Sequence, residues 1–236
     1  FEQITARGAD CELDKGQTGE KTADGIFRVK AEYGLYEARA VIIATGAKHK
    51  KVGVKGEEEF TGNGVSYCAV CDGAFYSGEE VALVGDANTA LQYSLLLSNY
   101  CKKVYVCTWM DRFFGDKALS DALLENVVWI KYVNLTAFEG GEELSACVFD
   151  NRETGEKLVL PVKACFVAIG QQPDNEAFKN LVTLDKDGYV VAGEDCLTDT
   201  EGVFVAADCR TKSVRQLTTA AADGAVAAMA ACKYLK

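Results

Sequence analysis

Cys68 and Cys71 are separated by two residues, and a carboxylate follows the second thiol directly in the stretch Tyr67-Cys68-Ala69-Val70-Cys71-Asp72-Gly73. That spacing lets the sulfurs close a small disulfide ring, and Asp72 is near enough to move a proton for whichever sulfur leaves. A redox centre is the natural chemistry. Cys-x-x-Cys is also half of a four-cysteine zinc site, a reading that needs a second pair. The other eight cysteines, at 11, 101, 107, 147, 165, 196, 209 and 232, offer no further Cys-x-x-Cys. They are expected to act as small buried apolar side chains. A hydrolase would have to be built on His49, the only histidine, and Lys48-His49-Lys50-Lys51 reads more simply as a solvated surface.

The second stretch with chemical content is Gly85-Asp86-Ala87-Asn88-Thr89, which follows the apolar run Glu80 to Val84. A helical pattern from Thr89 to Leu97 and a short apolar strand, Lys103 to Cys107, come next. Strand, tight turn, helix and strand in this order make a βαβ unit, and a parallel pair needs a right-handed crossover. The turn holds the position of a dinucleotide fingerprint, whose glycines clear room for a pyrophosphate. Only the first glycine is kept. Ala87 stands where the second belongs, and Asp86 adds a negative charge beside it. Further on, Cys107-Thr108-Trp109-Met110-Asp111-Arg112 properly supplies neither the acidic residue that takes a ribose hydroxyl nor the arginines that take a 2′-phosphate. A Rossmann-shaped domain with a degraded nicotinamide site is at least as well supported as a working one.

The elements that must position these groups belong to a chain of 236 residues, 49% apolar, enough for one large or two ordinary domains. A formal charge of −10 argues against a nucleic-acid or anionic-membrane surface. No apolar run is long enough to span a bilayer, and the first residues lack the layout of a signal peptide. Ten cysteines in a chain with this much core do not make a disulfide scaffold, so a reducing, cytoplasmic compartment is expected. Alternating segments at 25–31 and 34–39 predict antiparallel strands. Ala40 to Ala47 predicts a strand buried on both faces, ending in the small-residue turn Ala44-Thr45-Gly46 where something flat or phosphorylated can approach. Further strands are expected at 126–131, 145–150, 157–162, 164–170, 188–192 and 202–209, a crossing at 170–174, and an alanine-rich helix from about Thr218 to Tyr234.

Three stretches together resemble one family: Cys68-Ala69-Val70-Cys71-Asp72-Gly73, the strand ending Ala44-Thr45-Gly46-Ala47, and Asp208 through Arg215-Gln216-Leu217. They look like the low-molecular-weight thioredoxin reductases, FAD-dependent disulfide reductases, and the likeness runs over essentially the whole chain. The resemblance implies an α/β fold of two Rossmann-like, three-layer (ββα) domains. Residues 1–66 and 172–236 would form an FAD domain, split by an inserted NAD(P)-binding-like domain, 67–171, that carries the thiols. Ala44, Thr45, Gly46, Asp208, Arg215, Gln216 and Leu217 would contact FAD. Cys71 would face the flavin, Cys68 would attack thioredoxin or a similar protein disulfide, and Asp72 would serve as acid and base. Crossings near Gly64 and Gly170 would be hinges for a rotation of the inserted domain, and the family implies a homodimer.

The departures carry their own expectations. The family's glycine-rich FAD turn has no counterpart, and in a chain that opens on Phe1 instead of Met it is expected upstream. Ala207 replaces the glycine that precedes Asp208. Gly85-Asp86-Ala87 and Cys107-Thr108-Trp109 resemble the ferredoxin-dependent flavin thioredoxin reductases, so no tight binding of NADP(H) is expected, and the Lys48 to Lys51 run could dock an acidic ferredoxin. Two rivals stand beside this reading. One is a non-catalytic redox-sensing module; the other is the reductase component of a peroxidase system, which carries an extra N-terminal domain.

Overall fold

The computed structural model describes residues 2–236; Phe1, which opens the first expected FAD-domain segment, lies outside the described residues. The chain forms two compact units, one from the residues up to Lys48 together with 172–236, the other from 49–171.

The first unit opens with α1 (Glu2–Thr5) and the antiparallel meander β1 (Gly16–Lys21), β2 (Phe27–Ala31) and β3 (Leu35–Ala38). Alternation puts Phe27 and Ala31 inside while Arg28 and Lys30 face solvent. Then come β4 (Val41–Ile43) and β5 (Ala47–His49). The strand expected over residues 40–47 therefore stops early, because Gly46 takes a left-handed conformation at φ 70°. Burial on both faces also fails: Ile43 packs with Phe27, Leu181 and Val203, whereas Ile42 is 43% exposed.

The second unit contains α2 (Glu57–Phe60), β6 (Val65–Ser66), α3 (Ala69–Asp72), β7 (Glu80–Val84), α4 (Asn88–Leu97), β8 (Lys103–Cys107) and α5 (Lys117–Asp121). It continues through β9 (Val127–Ile130), β10 (Val133–Gly140), β11 (Leu144–Asn151), β12 (Lys157–Pro161) and β13 (Ala164–Val167). A five-stranded parallel sheet runs in the order β6-β13-β7-β8-β9, and β10, β11 and β12 form an antiparallel meander. Period-two alternation sorts the parallel strands between two cores. Ala82, Cys165 and Val167 pack with Leu135, Phe138 and Phe149 of the meander. Val81, Leu83, Ala164 and Phe166 pack with Ala90 and Leu97 of α4. Meander, sheet and helix are thus three layers in an α/β arrangement.

The expected boundary at 66/67 moves to 48/49. Phe60 and Val65 belong to the core beneath the parallel sheet, with Val52 and Val54 against them, so that segment is held by burial in the second unit. Gly64, expected as a hinge, is a packed point there, since a Cβ on it would lie 2.3 Å from the Leu144 Cβ. The other division falls at 171/172, after Gly170. Both crossings run through β5 and β14 (Gln171–Pro173), which pair with each other.

Back in the first unit, β15 (Val203–Val205) lies parallel to β4, and α6 (Leu217–Tyr234) packs on it through Ala227 and Ala231. The strand expected at 188–192 does not form; Val190 makes only isolated bridges. The Asp185 carboxylate takes the N–H groups of Asp187 and Tyr189, both at 2.9 Å, and curls the chain into a turn that takes up the first residues of that segment.

Candidate active site

The parallel edge strand β6 ends at Ser66, and the thiols follow at once on the short helix α3. Cys68 and Cys71 are joined in a disulfide, with their Cα atoms 5.3 Å apart. Cys68 caps α3 in an extended conformation, and its carbonyl accepts the N–H groups of Cys71 (3.1 Å) and Asp72 (3.0 Å). The Cys71 N–H also points at Cys68 Sγ, 3.1 Å away. Ser66 Oγ accepts the Cys68 N–H at 3.1 Å and donates to Asp72 Oδ2 at 2.6 Å, so the carboxylate is tied to the start of the thiol loop. Gly73 lets this segment settle on α4, because a Cβ there would meet Leu97 at 2.8 Å.

Tyr67 anchors the stretch from the other side. Its hydroxyl donates to Glu57 Oε1 at 2.9 Å, and burial together with that carboxylate pushes it up to about 12. Glu57 is itself buried and accepts the N–H groups of Val52 and Gly53, at 2.9 and 2.7 Å. His49 is exposed, as its lysine-rich surroundings predict, yet its ring stacks on Tyr67 at 5.5 Å. Val70 and Phe75, the latter 82% exposed, leave an apolar rim around the disulfide.

Gly85 to Thr89 open α4, which packs beside α3, and the Tyr93 hydroxyl of α4 reaches the Tyr67 carbonyl at 3.5 Å. A Cβ on Gly85 would lie 2.5 Å from the Ala168 carbonyl oxygen, so strand packing alone requires this glycine. The turn is engaged by the chain that follows β8. Phe114 N–H donates to Asp86 O at 2.7 Å, Asp116 N–H to Asn88 Oδ1 at 2.6 Å, and a Cβ on Gly115 would sit 2.9 Å from Asn88 N. Asp86 and Asp116 bring two carboxylates to the place where a pyrophosphate would need donors. The nearby guanidinium groups lie over rings: Arg112 over Phe114 and Arg152 over Trp109, both at 4.7 Å.

A second constellation forms in the first unit. β4 and β15 pair in parallel register, Ile43 opposite Val205, so Ala44-Thr45-Gly46 and Ala207-Asp208 leave the sheet side by side. Thr45 Oγ1–H donates to Asn175 Oδ1 at 2.6 Å, and the buried Asn175 amide donates to the carbonyls of Gly188 (2.8 Å) and Cys209 (2.9 Å). Ala207 adopts φ 68°, which costs a residue with a Cβ about 1 kcal/mol. Its N–H donates to Asp223 Oδ2 at 3.0 Å, which holds the turn.

Asp223 is buried on α6 between the fully buried Arg210 (Nε to Oδ2 2.8 Å, Nη2 to Oδ1 2.9 Å) and Lys212 (2.9 Å). The Arg210 hydrogen bond leads in holding the Asp223 carboxyl down at about 2, and the same bond raises Arg210 further. Arg215 Nε reaches the Asp208 carbonyl at 3.3 Å, and its guanidinium lies 4.1 Å over the Tyr189 ring. Gln216 and Thr219 form a capping box that starts α6, with Leu217 exposed at its opening. Asp208 Oδ1 is buried with no hydrogen-bond partner among the described residues, an acceptor whose unmet desolvation costs about 1–3 kcal/mol.

The predicted residues thus gather in two sets. Ala44, Thr45, Gly46, Asp208, Arg215, Gln216 and Leu217 converge in the first unit; Cys68, Cys71 and Asp72 lie beside the helix that Gly85 to Thr89 begin in the second. Ser66, Glu57, Asn175, Arg210 and Asp223 escaped sequence reasoning. Only Asp223 carried a signal, as the lone acid of α6 on the same face as Ala227 and Ala231, four and eight residues on. No group of three or more potential ligands among the described residues is arranged to hold a metal ion.

Known proteins resemble this chain over most of its length. The pyridine nucleotide-disulphide oxidoreductase family matches residues 6–224. The thioredoxin reductase of Listeria monocytogenes is 38% identical over 205 residues, which are 85% of this chain and 64% of that protein, so the chain spans less than two thirds of that relative's length. The thioredoxin reductase of Treponema pallidum is 37% identical over 237 residues, covering 99% of this chain and 76% of its own. The crystal structure of thioredoxin reductase from Streptococcus pyogenes superposes with a TM-score of 0.93 at 33% identity, covering 100% of this chain and 78% of that one. The family match takes in the disulfide unit, most of the first unit and the first eight residues of α6, and this chain belongs to the pyridine nucleotide-disulphide oxidoreductases.

Proposed function

We propose that the full-length protein is a flavin-dependent disulfide reductase in which Cys68 and Cys71 carry electrons to thioredoxin or a similar protein disulfide. The observation that carries this reading is the Cys68–Cys71 disulfide, tied through Ser66 to Asp72 and rimmed by exposed Val70 and Phe75, in a chain similar to thioredoxin reductases. The rim offers an apolar seat beside the sulfurs for a protein partner. Cys71 faces the flavin, Cys68 attacks the partner, and Asp72 gives and takes the proton. The first unit is the FAD domain, and 49–171 is the inserted domain. A homodimer and a reducing, cytoplasmic setting complete the proposal; eight of the ten cysteines are free thiols.

The first unit fits FAD by one specific feature. The orphaned Asp208 Oδ1 needs a donor, which a sugar-alcohol hydroxyl of the cofactor provides. Thr45 and Gly46 border the same end of the parallel pair, and the N-terminus of the eighteen-residue α6 favours negative charge at Gln216 and Leu217. When bound, FAD supplies the electron pair that opens the disulfide. Asp208→Ala is expected to leave the fold intact, because Oδ1 has no internal partner to lose, and to lower flavin occupancy at least about tenfold. The visible spectrum of purified protein checks this; full occupancy in the variant contradicts the assignment.

The electron donor in this proposal is an iron-sulfur protein of the ferredoxin class, not NADPH. The support is the Gly85 to Asn88 turn, engaged by Phe114 and Asp116 and flanked by two carboxylates. The deciding experiment supplies the full-length flavoprotein with dithionite as chemical reductant and oxidised thioredoxin as substrate. Many thioredoxin thiols per flavin are expected, whereas NADPH alone should give no saturable rate. Release of a single equivalent without turnover would instead favour the redox-sensing module, and a micromolar NADPH KM would remove the donor assignment.

A further inference from the structure

Among the described residues, Ser66 is the one side chain hydrogen-bonded to both ends of the thiol loop. Its place is fixed before any chemistry: β6 pairs in parallel with β13, Ser66 opposite Phe166, and the residue is only 6% exposed. Its oxygen accepts the Cys68 N–H at 3.1 Å, and its single proton goes to Asp72 Oδ2 at 2.6 Å. The Cys68 carbonyl, 3.5 Å from the same oxygen, is too far to compete for that proton. Because the hydroxyl donates, Oδ2 is an acceptor, and Oδ1 is left to receive a proton. Asp72 lies at the end of a four-residue helix and, among the described residues, takes no other side-chain hydrogen bond. Without Ser66 the carboxylate would be free to turn toward water.

From this arrangement we infer that Ser66 is a positioning residue for thiol-disulfide exchange, holding Asp72 as the proton acceptor for the cysteine that attacks. In that step Asp72 takes the proton of the attacking thiol, the sulfur bonds to one sulfur of the incoming disulfide, and the other half leaves as a thiolate. Asp72 then passes its proton to water; the second cysteine, losing its own proton to water, displaces the remaining half, also as a thiolate, and restores Cys68–Cys71. Two electrons pass from the dithiol to the incoming disulfide. The inference rests on the proposed reading for the natural disulfide, so its test uses an artificial one that needs neither thioredoxin nor an electron donor.

Full-length flavin-bound protein is alkylated at its exposed free thiols, Cys11 and Cys232, while the Cys68–Cys71 disulfide is closed. It is then reduced with dithiothreitol, freed of reductant, and mixed with 5,5′-dithiobis(2-nitrobenzoate) in stopped flow. Asp72→Asn should slow thionitrobenzoate release about 100-fold, at the lower end for a lost general base. Ser66→Ala should slow it about tenfold, and Ser66→Thr, which keeps the hydroxyl, should stay within about twofold of the parent. The decisive result is the double variant: Ser66→Ala should add nothing to Asp72→Asn, since a residue acting through another has no effect once that other is gone. Multiplicative losses in the double variant overturn the inference, as does an unchanged rate in Ser66→Ala. A threonine variant as slow as the alanine variant overturns it too, and that comparison stands even if Ser66→Ala does not fold.

Discussion

Cys71→Ser is expected to abolish turnover of a protein disulfide, with a loss of at least about 1,000-fold, because in the proposed cycle the residue forms a covalent bond and serine cannot exchange with a disulfide. The two cysteines should fail differently. With Cys71→Ser the Cys68 thiol can still attack, but nothing resolves the mixed disulfide, so a covalent adduct with oxidised thioredoxin should accumulate and appear on a non-reducing gel. With Cys68→Ser the attacking sulfur is gone, and no adduct should form at early times. The distinction follows from the roles proposed above; the disulfide joins Cys68, the cap of α3, to the exposed Cys71, with exposed Val70 between them in the chain. Either variant retaining more than a few per cent of turnover would remove the pair from the mechanism. A reversed pattern of adducts would exchange the two roles.

The largest stability effect is expected at Asp223. Arg210 is fully buried, and Asp223 supplies two of its hydrogen bonds and takes a third from Lys212. Asp223→Ala leaves the Lys212 ammonium without its carboxylate and the buried Arg210 guanidinium with only the exposed Glu194, 2.9 Å away, and removing one partner of a buried pair costs about 3–5 kcal/mol. It also frees the Ala207 N–H, which holds the left-handed turn before Asp208. Denaturant unfolding at pH 7 checks the loss; a change below about 1 kcal/mol would mean that water replaces the network. The pH dependence follows from the lowered carboxyl. Its folded value is about 2 against 3.8 when unperturbed, so the stabilisation is fully present above about pH 4 and fades as pH falls toward 2. The shift is worth about 2 kcal/mol at neutral pH. The stability gap between parent and Asp223→Ala should therefore narrow between pH 4 and 2.

Legibility in the sequence tracked the reach of the interaction. The βαβ unit from Glu80 to Cys107 is readable because its signals, alternation, a turn glycine and a helical stripe, lie within a few residues of one another. The eight-residue strand expected over Ala40 to Ala47 shortens to Val41–Ile43, because apolar content does not reveal how many faces a strand covers and Gly46 ends the run. The boundary expected at 66/67 could not be placed from local pattern, since what assigns Phe60 and Val65 is their burial with Phe138 and Leu144 far along the chain. Gly85 looked like the remnant of a phosphate turn; its close approach to the Ala168 carbonyl is a packing need that the spacing cannot separate from a binding one.

By itself the sequence determined the thiol chemistry: two cysteines with two residues between them are held within bonding reach by any helical turn, and a carboxylate next in line stays beside them. It also determined the alternation of strands and helices that makes an α/β protein. The tertiary structure alone decided what holds those groups. Thr45 meets Asn175 across 130 positions, Asp223 comes back 13 positions to clasp Arg210, and Ser66 is fixed by a strand paired a hundred residues on. Such contacts form only after chain closure makes distant residues neighbours, and no local spacing encodes which buried polar group will find which partner.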